Sequence, residues 1–234
     1  TVKLKKALYG CVQSARLWCN HLSSVLKGLG FEANPVDPCV FNRKSANGKQ
    51  CTLAMHVDDG LATCEDLEEL ELLDKQIKEK FNNEVKSEVN CTEFDYLGIM
   101  IDAKDGSEAE LTMEKHIKDV SAEHNVTGNA ATPAADNLFK VDEESDRLGK
   151  GAAERLHRAV AQLLYLATRV RPDVLLPITF LCSRASEPTF EDLEKLHRVM
   201  RRLNSTSTLG IVLGQFGQDI ALNVYADASY AVHK

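Results

Sequence analysis

Asp58 and Asp59 stand side by side between the apolar run Thr52-Leu53-Ala54-Met55 and the apolar pair Leu61-Ala62. Adjacent carboxylates in apolar surroundings are costly to desolvate unless a cation neutralises them. A divalent metal fits that role: Mg²⁺ takes oxygen ligands and keeps room for substrate phosphates, so acids at a strand end form a natural fragment of such a site. A plainer reading stands beside this one. Asp59-Gly60 is an Asp-Gly dipeptide between strand-like residues, which is a hairpin-turn signal with no chemistry attached. Taken alone, the pair reads first as that turn.

Other reactive side chains are thinly grouped. Lys195, Arg198, Arg201 and Arg202 fall largely on one side of a predicted helix, suiting either phosphate contacts or a solvated basic face. His116, His124 and His157 lie far apart with no ligand spacing and read as surface histidines. The seven cysteines are scattered without a paired spacing, which points to reduced thiols rather than a zinc or disulfide framework. Nothing resembles the Gly-flanked serine of a hydrolase or a Cys/His nucleophile arrangement.

The elements that must position Asp58 and Asp59 follow from periodicity. Leu17, Trp18, Leu22, Val25 and Leu26 recur at helical spacing over 14–27, and Gly28 and Gly30 mark the stop. Pro35 and Pro38 force an extended connection; 39–43 and 52–57 read as partner strands around a tight Asn47-Gly48 turn. The aspartates come next, then a short return strand and a helix over 66–81 with its acids facing water. A strand over 94–101 turns at Asp105-Gly106 into 108–112, followed by a helix over 114–122. Residues 127–150 read as a loop or linker. Helices are expected over 152–168, 173–184 and 190–203, and strands over 210–213 and 220–225. The fold class is α+β.

Composition bounds the rest. A chain of 234 residues with 44% hydrophobic content has material for a core. No apolar stretch approaches the roughly 20 residues needed to cross a bilayer. The net charge of −7 argues against a generic nucleic-acid binder, but it is unevenly placed. Residues 1–64 carry eight basic and four acidic side chains, 65–150 carry ten and twenty-three, and 151–234 carry ten and eight. The acidity belongs to the middle. Thr1 opens the chain without an initiator methionine or signal peptide, so the expectation is a piece of a longer polypeptide.

The features occur in an order that resembles a known family. Leu4-Lys5-Lys6-Ala7-Leu8-Tyr9-Gly10 is followed by Gln13, Arg16 and Trp18, then Leu29-Gly30-Phe31 and Asp37-Pro38-Cys39-Val40-Phe41. His56-Val57-Asp58-Asp59, Tyr96-Leu97-Gly98-Ile99, Leu163-Leu164-Tyr165-Leu166-Ala167-Thr168, Arg171-Pro172-Asp173 and Tyr225-Ala226-Asp227-Ala228-Ser229 follow in turn. The series resembles the reverse transcriptase region of Ty1/copia-type retrotransposon polyproteins and spans nearly the whole chain. The resemblance implies a partial palm with a primer-grip-like hairpin over 1–126, a linker over 127–150, a helical thumb or connection over 151–208 and the first strands of a ribonuclease H-like domain over 209–234. It implies that Asp58 and Asp59 are catalytic acids at a hairpin tip holding Mg²⁺, or Mn²⁺ in its place, with Asp58 the closer ligand. Gly10, Gln13, Arg16, His56 and Val57 would lie near nucleotide and template, and Tyr96, Leu97 and Gly98 would grip the primer. Arg198, Arg201 and Arg202 would meet the nucleic-acid backbone, and Asp227 would be the first ribonuclease H metal ligand. The implied partners are an RNA template, a DNA primer, deoxynucleotides and the remainder of the Pol polyprotein, inside the cell or in a virus-like particle.

The chain also departs from the family pattern. His56 replaces the usual tyrosine and Gly60 a bulky aliphatic, and glycine in the return strand should weaken pairing there. The usual basic residue at position 12 and proline at position 15 are absent. A further catalytic aspartate and the fingers are expected before Thr1, and further ribonuclease H acids after Lys234, so each centre is expected here only in part. The rival reading is a non-catalytic nucleic-acid-binding or dimer-forming remnant of a decayed element.

Overall fold

The computed structural model describes residues 7–8, 10–103 and 108–214. The chain divides into two compact units, Thr1–Cys91 and Thr92–Lys234. The division falls at 91/92, whereas the motif series suggested a first boundary at 126. The α+β class is borne out, with two four-stranded antiparallel sheets and six α-helices among the described residues.

The first unit runs α1 (Val12–Gly28), β1 (Glu32–Ala33), β2 (Val40–Lys44), β3 (Gln50–His56), β4 (Asp59–Cys64) and α2 (Leu67–Lys80), with sheet order β1-β2-β3-β4. Helix α1 stops where Gly30 adopts φ +85°. Gly30 N–H bonds Lys27 O and Phe31 N–H bonds Leu26 O, both at 3.0 Å, which satisfies the last carbonyls of the helix. That closure delivers Phe31 into a core of Leu22, Leu26, Phe41, Cys51, Leu53 and Leu73. The strands alternate as a half-buried sheet should: Cys51, Leu53 and Met55 face the core while Thr52 and Ala54 face away.

One polar group ties this sheet to both helices. The Arg43 guanidinium donates to Glu69 Oε1 at 2.5 Å, Leu29 O at 2.8 Å and Gln76 Oε1 at 3.0 Å, and lies 4.6 Å from the Phe31 ring centroid. Both side chains of the Arg43–Glu69 pair are only 8% exposed. A charge this buried persists because it is paired and multiply bonded.

The second unit runs β5 (Glu93–Tyr96), β6 (Ile99–Asp102), β7 (Glu108–Thr112), α3 (Glu114–Glu123), α4 (Lys150–Arg169), a 3₁₀ turn (Pro172–Val174), α5 (Leu175–Arg184), α6 (Phe190–Asn204) and β8 (Ile211–Gly214). Its core is larger, with Ile117, Leu156, Leu163, Ile178, Leu196 and Leu203 buried between helices and Ile99 and Leu111 packed on from the sheet. Helix α6 starts on a capping box in which Thr189 and Asp192 satisfy each other's backbone N–H groups. Arg171 is fully buried, with two 2.8 Å bonds to the Asp173 carboxylate and two more to Thr206.

Three expectations change on meeting tertiary structure. Residues 94–101 are not one strand: Leu97 and Gly98 turn the chain between β5 and β6, with φ +55° and +77°. The stretch 127–150 is irregular as expected but packed, since Leu138 and Leu148 enter the core. Strand β8 pairs with β7, Leu111 opposite Ile211, so 211–214 complete the sheet of this unit. Gly210 makes that approach feasible, because a Cβ there would lie 2.1 Å from Leu111 O. The expected strand at 220–225, the Asp105-Gly106 turn and Asp227 lie outside the described residues.

Candidate functional site

The acids sit at the free end of the β3–β4 hairpin. His56 pairs with Asp59 and Met55 with Gly60, leaving Val57 and Asp58 as a two-residue turn. The turn is therefore two residues earlier than the Asp59-Gly60 dipeptide indicated. Asp58 belongs to the turn, and Asp59 is the first residue of β4, on the face opposite the core together with Leu61 and Thr63. Strand alternation therefore assigns a face to Asp59 and not to Asp58. His56, Val57, Asp58 and Asp59 are all exposed, so both carboxylates are open to a ligand.

The backbone at this tip is strained. Val57 has φ +59°, and a β-branched residue rarely occupies the left-handed region. Two-residue hairpins favour a residue with positive φ at this first position, where glycine is the unstrained choice. What holds Val57 there is Trp18 of α1, whose indole N–H donates to Val57 O at 2.6 Å. Trp18 in turn packs on Phe81, their ring centroids 5.7 Å apart. Strain concentrated beside chemically capable residues and held by surrounding structure is a mark of functional sites.

Gly60 does not loosen the hairpin. The register runs unbroken from His56↔Asp59 to Cys51↔Cys64, and the Met55 side chain covers the space a Cβ at Gly60 would enter, 2.8 Å from Sδ. A bulky aliphatic at position 60 would have to displace that flexible thioether.

The remaining site candidates are distributed as follows. Gly10 lies in an exposed turn with φ +86° just before α1, and Gln13 and Arg16 are exposed on that helix. Tyr96 ends β5, Leu97 and Gly98 form its turn, Gly98 N–H bonds Asp95 Oδ1 at 3.0 Å, and the Tyr165 hydroxyl donates to Leu97 O at 2.8 Å. On α6, the basic side chains are committed locally. Lys195 bonds Lys140 O at 2.6 Å, Arg198 bonds Thr132 Oγ1 at 2.9 Å, and Arg201 lies 4.0 Å from Glu194. Arg202 is half-buried. Lys195 and Arg198 thus fasten the 127–150 loop onto α6, a role that helical periodicity cannot reveal.

Asp58 and Asp59 offer hard oxygen donors of the type Mg²⁺ or Mn²⁺ takes. Among the described residues no group of three or more His, Cys, Asp or Glu side chains could hold a metal ion. The donor type fits and the donor count falls short. No helix among the described residues is long and apolar enough to cross a membrane.

A sequence model of reverse transcriptase (RNA-dependent DNA polymerase) matches residues 1–135, which include the aspartate hairpin and β5–β7. The chain belongs to the reverse transcriptase family. This reverse transcriptase chain is 25% identical, over 99% of its length, to the transposon Ty5-1 protein of Saccharomyces cerevisiae, of which it spans 73%. It is 29% identical over 99% of its length to the retrovirus-related Pol polyprotein from transposon RE1 of Arabidopsis thaliana, spanning 15% of that protein. To the truncated transposon Ty1-A Gag-Pol polyprotein of Saccharomyces cerevisiae it is 26% identical over 98% of its length, spanning 20%. No solved structure matches. The relatives bear out the Ty1/copia-type reading of the motif series.

Two anchors of this reverse transcriptase hairpin escaped sequence reading. Trp18 stood out only as a helical apolar residue and a family marker, and Arg43 not at all. Trp18 is 39 residues from Val57 and Arg43 is 26 from Glu69, so no local pattern carries either contact.

Proposed function

We propose that this chain supplies part of the polymerising centre of a Ty1/copia-type retrotransposon reverse transcriptase, with Asp58 and Asp59 as its acids. The observation that carries the reading is the hairpin tip itself: two exposed carboxylates on a strained turn that Trp18 holds in place. In the intact polymerase these acids would hold Mg²⁺, which supplies charge neutralisation and alignment for nucleotidyl transfer from a deoxynucleotide to a primer paired with RNA. Asp58, at the apex, is the closer ligand, and Asp59 shapes the field from the first position of β4. His56, directly across from Asp59, faces the same side and is available to a primer terminus or is a tolerated replacement for tyrosine.

The Tyr96-Leu97-Gly98 turn is assigned to primer contact, and Gly10, Gln13 and Arg16 to the nucleotide side. In this reading the palm runs through 126, 151–208 form a thumb or connection, and 209–234, with Asp227, begin a ribonuclease H-like domain. The partners are template, primer, deoxynucleotides and the rest of the Pol polyprotein. Among the described residues this pair of carboxylates is fewer than two metals require, so the chain by itself is not expected to extend a primer. A primer-extension assay with Mg²⁺ checks this: synthesis by the purified chain that vanishes in Asp58→Ala would overturn it. Mn²⁺ titration tests the acids directly. Binding should weaken in Asp58→Asn, and equal affinity in the two proteins would remove Asp58 as a ligand.

A further inference from the structure

Cys51 and Cys64 are thirteen positions apart, a spacing that announces nothing, yet the β3–β4 register sets them directly opposite each other. They form the last pair of the ladder, at the end of the hairpin away from the aspartates. Which kind of pair they form follows from the neighbouring strand. Met55 N–H donates to Cys39 O at 2.9 Å, so Met55 turns its backbone groups toward the β2 side. Cys51 has the same parity and does likewise. Cys51↔Cys64 is therefore a non-hydrogen-bonded pair of β3 and β4, the kind whose Cα atoms approach to about 4.5 Å with side chains closest together. That spacing lies within the roughly 4.4–6.8 Å a disulfide spans.

The two side chains also share a face. Both point to the core side of the sheet, Cys51 within the buried cluster and Cys64 packed against it. Cys51 is fully buried, whereas Cys64 is half-exposed and accepts the Asp66 N–H at 3.5 Å, just ahead of α2. Burial pushes the Cys51 thiol up to about 11, so it stays protonated while Cys64 meets solvent first. The other five cysteines are exposed or half-exposed, and none is opposed to another cysteine in a strand pairing.

We propose that Cys51 and Cys64 are a thiol modification site that accepts a small-molecule disulfide and closes into a cross-strand bond. The Cys64 sulfur attacks one sulfur of the small disulfide, forming a mixed disulfide and releasing one small thiol, which takes up the Cys64 proton. The Cys51 sulfur then attacks Cys64 Sγ, breaking the mixed disulfide and releasing the second small thiol with the Cys51 proton. Two protein thiols are oxidised and one small disulfide is reduced to two thiols. The closed ring runs from 51 to 64 and encloses the entire hairpin, including Asp58 and Asp59. The inference goes beyond the polymerase reading and does not depend on it.

The test is incubation of the full chain with oxidised glutathione, followed by unfolding, alkylation of free thiols, digestion and mass spectrometry. The expected product joins the Cys51 and Cys64 peptides, two hydrogens lighter than the reduced pair. Its melting temperature should rise by on the order of 5 °C over the reduced protein. Cys51→Ala should stop at a glutathione adduct on Cys64, and Cys64→Ser should leave Cys51 unmodified. Free Cys51 and Cys64 in the wild type, a lasting glutathione adduct on Cys64, or either residue linked to a different cysteine would each overturn the proposal. Cys64→Ser changes only a half-exposed thiol and so keeps the test open if Cys51→Ala fails to fold.

Discussion

The two units turn a two-residue hairpin by the same device and finish it differently. In the first, Val57 takes φ +59° and its carbonyl accepts the Trp18 indole at 2.6 Å; in the second, Leu97 takes φ +55° and its carbonyl accepts the Tyr165 hydroxyl at 2.8 Å. Both place an aliphatic residue where positive φ is costly, and both hold it with a helix-borne aromatic donor. The second residue separates them. Gly98 also has positive φ, at no steric cost, and completes an ordinary tight turn. Asp58 has no such freedom and adds a carboxylate beside Asp59. One turn is eased by glycine; the other keeps its strain and presents charge. That contrast sets the β3–β4 tip apart from the β5–β6 turn.

Perturbations of different size should break or sharpen this contrast. Arg43→Ala should act hardest, because it leaves Glu69 buried without its partner; a loss of about 3–5 kcal/mol is expected for the first unit. Urea denaturation followed by Trp18 fluorescence would report it, and an unchanged midpoint would remove Arg43 as the tie between sheet and helices. Trp18→Phe removes the donor to Val57 O and should cost about 1–2 kcal/mol. Tyr165→Phe makes the parallel change at Leu97 and should cost about 1 kcal/mol or less, since that hydroxyl is nearer solvent. If Tyr165→Phe proved the more damaging of the two, the ranking of the anchors would be reversed.

Val57→Gly should stabilise by about 0.5–1 kcal/mol, as strain relief outweighs the added freedom of the unfolded chain. Leu97→Gly should lie nearer zero because leucine is not β-branched. Equal effects in calorimetry would erase the distinction between the turns. The smallest effect expected is acid sensitivity of the second unit. Hydrogen bonds from Arg171 hold the Asp173 carboxyl below its ordinary range. A depressed folded-state value means that this stabilisation is complete above the unfolded aspartate value near 3.9 and is lost as pH falls through the folded one. Arg171→Met should flatten that acid limb of a stability–pH curve, and an unchanged limb would assign it to other carboxylates.

Helices were the most legible part of the chain. Each of α1 to α6 lies within two residues of its expected limits, because apolar periodicity and Gly or Pro stops are local signals. Hairpins were half legible. Strands β2 and β3 were visible, yet the 94–101 run hid a turn, because Leu97 carries no turn signal and only Gly98 hints at one. The Asp59-Gly60 dipeptide pointed to a turn centre two residues late. A shift of that kind changes every cross-strand partner in the hairpin, and only pairing within the sheet sets it.

By itself, the sequence determined the α+β class, the helix limits and the family, because each is carried by residue type and order along the chain. The tertiary structure decided that Asp58 occupies a strained turn, that Trp18 and Arg43 support the hairpin, that Lys195 and Arg198 fasten a loop, and that Cys51 faces Cys64. All of these depend on contacts between residues distant in the chain, or on strand register. Register and long-range contact are chosen by which faces can be buried together, and no single segment carries that information.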